Sequence, residues 1–426
     1  MKEMTKRKRN LTSKFKNCLW ISSHNKKRYS DDEDTSYKIR RSATKLLAAV
    51  IGTRPDRLTS TYKEISPVLV SRFGDREETV RLEVWATYVV LLNQTTLYGG
   101  IPESKDDGAP RGKRKRDSED PMDTEETPYM LLKTQVPSLS KALLNQLKSS
   151  KNSPAVLQAG FSVLIALLTV IPGCLSTQVP LIVSISKTVL SQPSTSSTST
   201  LHFTCLSFLA LFFSSHSPST FQASMTTLNP VLLQSLTERH PRIASESFRV
   251  FSALLKALKP VKADWTNSLY DQTLARLSIH DTDAEVRACA EECMADIWIA
   301  ATDVVRSRDR KEWEYICRTT GKAENAVKVI TTVAREVKVG DDWVNGCVSW
   351  LMGLLKKSGR SGKAEVFGAL HVLLKRQVTW LIMSTDSYNA TWPAMNQGFR
   401  INCRLRLFHK SRRTFRLQIF LFFLKH

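Results

Sequence analysis

An amphipathic segment returns along this chain at a nearly fixed interval, and that recurrence limits the fold more than any other feature. The segments begin at Ile39 (IRRSATKLLAAVI), Val80 (VRLEVWATYVVLL), Val156 (VLQAGFSVLIALL), Leu201 (LHFTCLSFLALFF), Ile243 (IASESFRVFSALL), Val286 (VRACAEECMADIW), Ala326 (AVKVITTVA) and Ala364 (AEVFGALHVLL). Each opens on an apolar residue, places a small or apolar one four later, and runs into an apolar helical face. Their starts are 41, 76, 45, 42, 43, 40 and 38 residues apart. One step is a period plus an insertion of about 35 residues; the others fall close to the ~40–47 residues of stacked helix-pair repeats. A lone helix pair cannot bury its apolar stripe, so such units must share a core with their neighbours.

A second amphipathic stretch precedes each segment. Several carry a proline near the start: Pro67, Pro137, Pro180 and Pro230. Proline suits a first helical turn, where its missing N–H has no bond to lose. Between the two helices of a pair, Asp75-Arg76-Glu77-Glu78 and Asp281-Thr282-Asp283 offer cap oxygens and negative charge. Small residues on the second helix (Ala43, Gly160, Cys205, Ser247, Ala290, Gly368) predict close helix approach. The expected fold is all-α: a right-handed α-α superhelix, a HEAT/armadillo-like solenoid of about 7–8 helix pairs. The array is expected over 30–98 and 128–376. Residues 99–127, rich in Gly, Pro and charge, read as a disordered charged insertion. Residues 191–200 (SQPSTSSTST) read as a short linker and phosphorylation target within one repeat.

The net charge of +22 over 426 residues and the pI of 9.7 would suit a nucleic-acid binder. Their location argues otherwise. Residues 1–29 carry a net +9 and residues 399–426 a net +8, leaving +5 for the long middle. The tails 1–29 and 377–426 lack the repeat period and are expected to lie outside the solenoid; the first reads as disordered or non-native. Together they carry the expectation of a truncated or mis-spliced reading frame. Eight Cys without an N-terminal apolar leader fit a reducing compartment. Cys289 and Cys293 sit one helical turn apart without a second pair, so they read as packed thiols, not metal ligands. The apolar runs Phe161–Ile171 and Leu206–Phe213 are shorter than the ~20 residues a bilayer needs. His202, His216, His240 and His280 have no nucleophile at a fixed offset, and Gly359–Gly362 (GRSG) is a turn, not a phosphate cradle. Neither cofactor nor catalytic residue is expected. Trp85, Trp265, Trp298, Trp313, Trp343 and Trp350 read as core or inter-repeat packing.

The run Asp31–Thr95 carries an ordered set of motifs: an acidic stretch, YKIRRS, TRPDRL, ISPVLVSRF and REETVR. In that order and spacing it resembles the cullin-associated and neddylation-dissociated proteins, and Thr127–Lys148 (TPYMLLKTQVPSLSKALLNQLK) continues the likeness. The resemblance extends over about 30–376 and to a central portion of such proteins. It implies a HEAT solenoid that wraps a cullin and its RING subunit, binds cullins lacking the NEDD modifier, and exchanges substrate-receptor modules of SCF-type ubiquitin ligases. It implies no enzyme activity. The period alone would equally permit a cargo-binding helical-repeat protein of the nuclear-transport type.

Candidate partner contacts are Asp31, Asp32 and Asp34, whose plainer role is helix capping, and Arg72, Arg76 and Arg81 around one inter-helix turn. The plainer role of these arginines is exposed pairing with Glu77, Glu78 and Glu83, each pair contributing under about 1 kcal/mol. Lys113, Arg114, Lys115 and Arg116 form an exposed basic cluster of the kind an import receptor reads, so a nuclear and cytoplasmic location is expected. No small-molecule substrate, specific nucleic acid or membrane partner is expected, and the chain reads as a monomer outside its cullin complex.

Overall fold

The computed structural model describes residues 36–100, 126–149, 151–279, 283–301, 323–336, 341–359, 362–373 and 375, and every regular element among them is helical. They belong to two compact units divided between Val337 and Lys338. In the first unit the elements are α1 (Ser36–Thr53), α2 (Ser66–Ser71), α3 (Glu78–Tyr98), α4 (Pro128–Leu147), α5 (Pro154–Val170), α6 (Val179–Leu190), α7 (Ser199–Ser215), α8 (Met225–Leu236), α9 (Pro241–Leu258), α10 (Trp265–Ser278), α11 (Ala284–Ala300) and α12 (Ala323–Glu336). The second unit holds α13 (Asp341–Leu355) and α14 (362–373). All eight recurring segments lie on helices, and the molecule is the all-α repeat solenoid that the period predicts.

In the first unit the helices form two layers. The B layer is α1, α3, α5, α7, α9, α11 and α12, each packed along the next. The A layer is α2, α4, α6, α8 and α10, in lighter mutual contact. Large apolar side chains explain the extent of the B contacts: Leu164, Leu167, Phe208, Phe212, Phe248, Phe251 and Leu254 are essentially inaccessible to solvent. Burying each contributes roughly 1.5–3 kcal/mol. Gly160 lets α4 and α5 close up, since a Cβ there would stand 2.3 Å from a methyl of Leu147. Ser247 is buried and joins α9 to α8 through a 2.8 Å bond to the Ser235 hydroxyl. Gly368 departs from the expectation of close approach: it is exposed, and among the described residues no atom lies within 4 Å of its Cβ position.

Two of the four prolines also depart from their expected place. Pro67 and Pro180 open their helices, but Pro137 and Pro230 lie inside α4 and α8. α4 starts earlier because Thr127 caps it, its hydroxyl accepting from the Met130 N–H at 3.3 Å. Its buried stripe Leu132, Val136, Leu139, Leu143 and Leu147 runs unbroken past the proline. Packing therefore outweighs the one backbone bond that Pro137 removes. The stretch before α2 responds to proline differently. It is a π turn over Thr61–Ile65, a widening that accommodates the ring of Pro67 against the preceding turn.

The inter-helix turns use their acids in two ways. Asp283 caps α11, accepting from the N–H groups of Glu285 and Val286 at 2.9 and 3.4 Å. Asp75 does not cap α3 by its side chain; the cap residue is Glu77, with no side-chain bond. Asp75 is instead buried, accepting from the Glu77 N–H and from Arg40 of α1 at 3.2 Å.

Candidate protein-binding surface

A B helix in the middle of such an array is covered by its own A helix and by the B helices on either side. One stripe per helix remains open, on the side away from the A layer, and side by side these stripes make a continuous face. On α1 and α3 the face is charged: Arg41 and Lys45 reach Glu83 across the repeat boundary at 3.4 and 3.9 Å. On α9 and α11 it is charged again. Arg249 holds Glu246 of its own helix at 2.8 Å and Glu285 of the next at 2.9 Å. Lys256 meets Asp296 at 3.3 Å, and Lys259 meets Glu336 of α12 at 3.8 Å.

A cavity of about 520 Å³ opens between α9, α11 and α12, lined among others by Lys256, Asp296, Lys328 and Glu336. A second, of about 480 Å³, lies between the end of α7 and α9 and shares Lys256 and Glu292 with the first. Asp296 is buried, and that burial raises its pKa even though Lys256 opposes the shift. Both cavities are lined by charges of opposite sign, so neither selects for one charge.

Nothing in the described residues assembles a reaction centre. Cys289 and Cys293 are both buried, and burial pushes both thiols up, away from the reactive thiolate. Among the described residues no three His, Cys, Asp or Glu are arranged to hold a metal ion, and no helix is long and apolar enough to cross a membrane. His216 is structural: its Nε2 accepts from the Leu175 N–H at 3.2 Å, its Nδ1 lies 2.9 Å from the Phe212 carbonyl oxygen, and its ring stacks 4.2 Å from that of Phe212. His202 is buried as well, and burial lowers the pKa of both rings below the ordinary 6.5. Trp85 is wholly buried, Trp265 stacks on Phe251 at 5.8 Å, and Trp298, Trp343 and Trp350 are half-buried.

The arginines proposed from sequence sit at the turn between α2 and α3. Arg72 is half-buried, 4.0 Å from Asp75; Arg76 is exposed and Arg81 half-buried. The described contacts distribute the glutamates differently from the expected local pairs. Glu83 serves Arg41 and Lys45 of α1, and Glu78 accepts a 2.6 Å bond from Ser153 of the next repeat. The reason is geometric: stacked repeats bring residues one period apart nearer than many sequence neighbours. Asp31, Asp32, Asp34 and Lys113–Arg116 lie outside the described residues, as do His280 and Trp313.

Two layers of stacked helices with an open B face define a helical-repeat protein. Residues 173–294 match the family model described as "CAND1-like, TPR repeats", although the helix-pair spacing here is that of the longer, roughly 40-residue unit and not the ~34 of a tetratricopeptide. The chain is 31% identical to cullin-associated NEDD8-dissociated protein 1 of Arabidopsis thaliana across 77% of its own length and 26% of that protein. It is 31% identical to the Drosophila melanogaster protein of the same name, across 66% and 22%. Importin beta shares the fold at a TM-score of 0.53, covering 90% of this chain and 49% of importin beta at 14% identity. By sequence the chain belongs with the cullin-associated and neddylation-dissociated proteins. It spans about a quarter of the length of the curated relatives it matches.

Proposed function

We propose that the chain is a non-catalytic scaffold that binds an unneddylated cullin with its RING subunit and promotes exchange of substrate-receptor modules on SCF-type ubiquitin ligases. The observation that carries this reading is the sequence relation to proteins named for cullin association and NEDD8 dissociation, running through 77% of the chain. The open B face supports it, because a broad face made of one stripe per repeat suits an extended protein partner better than a small molecule. A cargo-binding role of the nuclear-transport type has the importin beta likeness in its favour, but a fold shared at 14% identity says little about partner. Nucleic acid and membrane are not partners in this reading, and the chain is a monomer apart from its cullin complex.

The test is a pull-down with the purified chain. It should retain an unmodified cullin–RING pair and lose it when the cullin carries the NEDD modifier; equal retention of both forms, or of neither, overturns the proposal. Nuclear and cytoplasmic locations belong to the same proposal, resting on Lys113–Arg116. Capture of the endogenous complex from separated nuclear and cytoplasmic fractions should yield cullin from both, and absence from one removes that half.

A further inference from the structure

Between Pro154 and Leu236 the sequence contains a single Asp, Glu, Lys or Arg, which is Lys187 of α6. Those 83 residues comprise α5 to α8 and their turns: the second helix of one pair, the full pair α6–α7 and the first helix of the next. Folded surfaces of ordinary solubility are roughly 25–35% charged, so this block stands apart from the repeats on both sides.

The structure specifies what the missing charge leaves exposed. On α5 the open stripe is Ala155, Gln158, Ser162, Ile165 and Thr169; on α7 it is Thr200, Phe203, Thr204, Ser207, Leu211 and Ser214. The two stripes lie side by side, since the helices pack along their length with Phe161 against Phe208 at 5.5 Å. Ser162 and Ile165 of α5 and Ser207 and Leu211 of α7 are all half-buried. Phe203 is 37% exposed. The outcome is a band of hydroxyls with Ile165, Phe203 and Leu211 as apolar contacts, set between B faces whose charges are already paired across repeats (Arg41 and Lys45 with Glu83, Arg249 with Glu285).

Depletion of charge with retained aromatic and aliphatic side chains is what separates the centre of a protein interface from the rest of a surface. The chemistry also selects the partner. A charged side chain pressed onto this band would lose its hydration and meet no counter-charge. An apolar or hydroxyl-bearing face loses little. We propose that the outer face of α5 and α7 receives an uncharged, largely apolar face of the protein partner. This rests on the cullin reading above and identifies the part of the B layer that the cullin covers most closely.

The experiment places both signs of charge on the band: Ser162→Lys, Ser162→Glu, Ser207→Lys and Ser207→Glu. Thr188→Lys and Thr188→Glu, on the exposed side of α6, serve as controls. Binding of an unmodified cullin–RING pair to the full chain is measured at low and high salt, with thermal melting to check the fold. Each band variant should weaken binding tenfold or more, whichever the sign and whatever the salt, with unchanged melting; the control variants should bind as the original chain does. If one sign weakens binding and the other strengthens it, the partner face is charged and the inference is wrong. It is equally wrong if the band variants bind normally. If the unsubstituted chain retains no cullin, the functional reading fails first and the inference falls with it.

Discussion

The uncharged block α5–α8 and the charged repeats beside it solve the same stacking problem with different interactions. In the block, rings cross between repeats: Phe161 of α5 meets Phe208 of α7, and Phe212, which also touches Phe208 and Phe213 of its own helix, meets Phe221 ahead of α8. On either side the joints add directed polar contacts. Arg40 reaches Asp75 inside the core, Arg249 reaches Glu285 at the surface, and Arg276 donates to the carbonyl oxygens of Leu236 and Glu238 at 2.7 and 3.1 Å. Apolar contact is non-directional and scales with area, whereas charged contacts demand a defined geometry and lose strength in salt. The difference teaches that one repeat architecture can leave a face free for a partner by moving its cohesion into rings, or can spend that face on its own ion pairs.

The sharpest way to break this comparison is Phe212→Ala. The ring is fully buried among four aromatic neighbours, so its loss should cost about 3–5 kcal/mol. Repeat arrays unfold in parts, and the readout is amide hydrogen exchange: protection should fall across α5–α8 well before α1–α3. Uniform loss along the array would mean that the two regions are not separable.

A middle-sized effect should come from acid. Burial lowers the His216 and His202 pKa values in the fold below the ordinary 6.5. The unfolded chain therefore binds more protons as the pH drops through about 6.5, and stability falls with it, by up to about 1.4 kcal/mol per pH unit for each ring. Protonation would also take away the lone pair with which His216 accepts the Leu175 N–H. After correction for the slower intrinsic amide exchange in acid, protection in α7 should be lower at pH 5 than at pH 7.5, and His216→Asn should flatten that dependence; unchanged protection in α7 removes the histidines from the account.

The smallest effect belongs to Arg249→Ala. Its side chain is 45% exposed, so solvent screens its bonds to Glu246 and Glu285 and the loss should stay under about 1 kcal/mol. Chemical denaturation at 0.05 and 1 M NaCl should give a difference that shrinks in salt. A loss above 2 kcal/mol would show that the charged joints carry as much cohesion as the aromatic ones.

The array was legible in sequence because helical amphipathicity is local. Each of the eight recurring segments, from Ile39 to Ala364, falls on a helix. The capping role of Asp283 was equally readable, since it acts within three residues. That Glu83 and Glu78 would meet Arg41, Lys45 and Ser153 was not readable, because those partners lie in other repeats. Pro137 and Pro230 were misjudged because a buried stripe continues through them. The uncharged band could have been found by counting charges along the chain, but its use depends on which stripe of each helix stays open.

By itself the sequence determined the helices, their period and the family, through apolar spacing at 3.6 residues per turn and the ordered motifs of Asp31–Thr95. Tertiary structure decided the partners: Arg40 with Asp75, Ser153 with Glu78, Gln135 with the Tyr62 carbonyl oxygen at 2.9 Å. It also decided which hydroxyls of α5 and α7 face outward. Periodicity tells a helix which side to bury, but the register and crossing of two helices some forty residues apart follow only from how their side chains interlock.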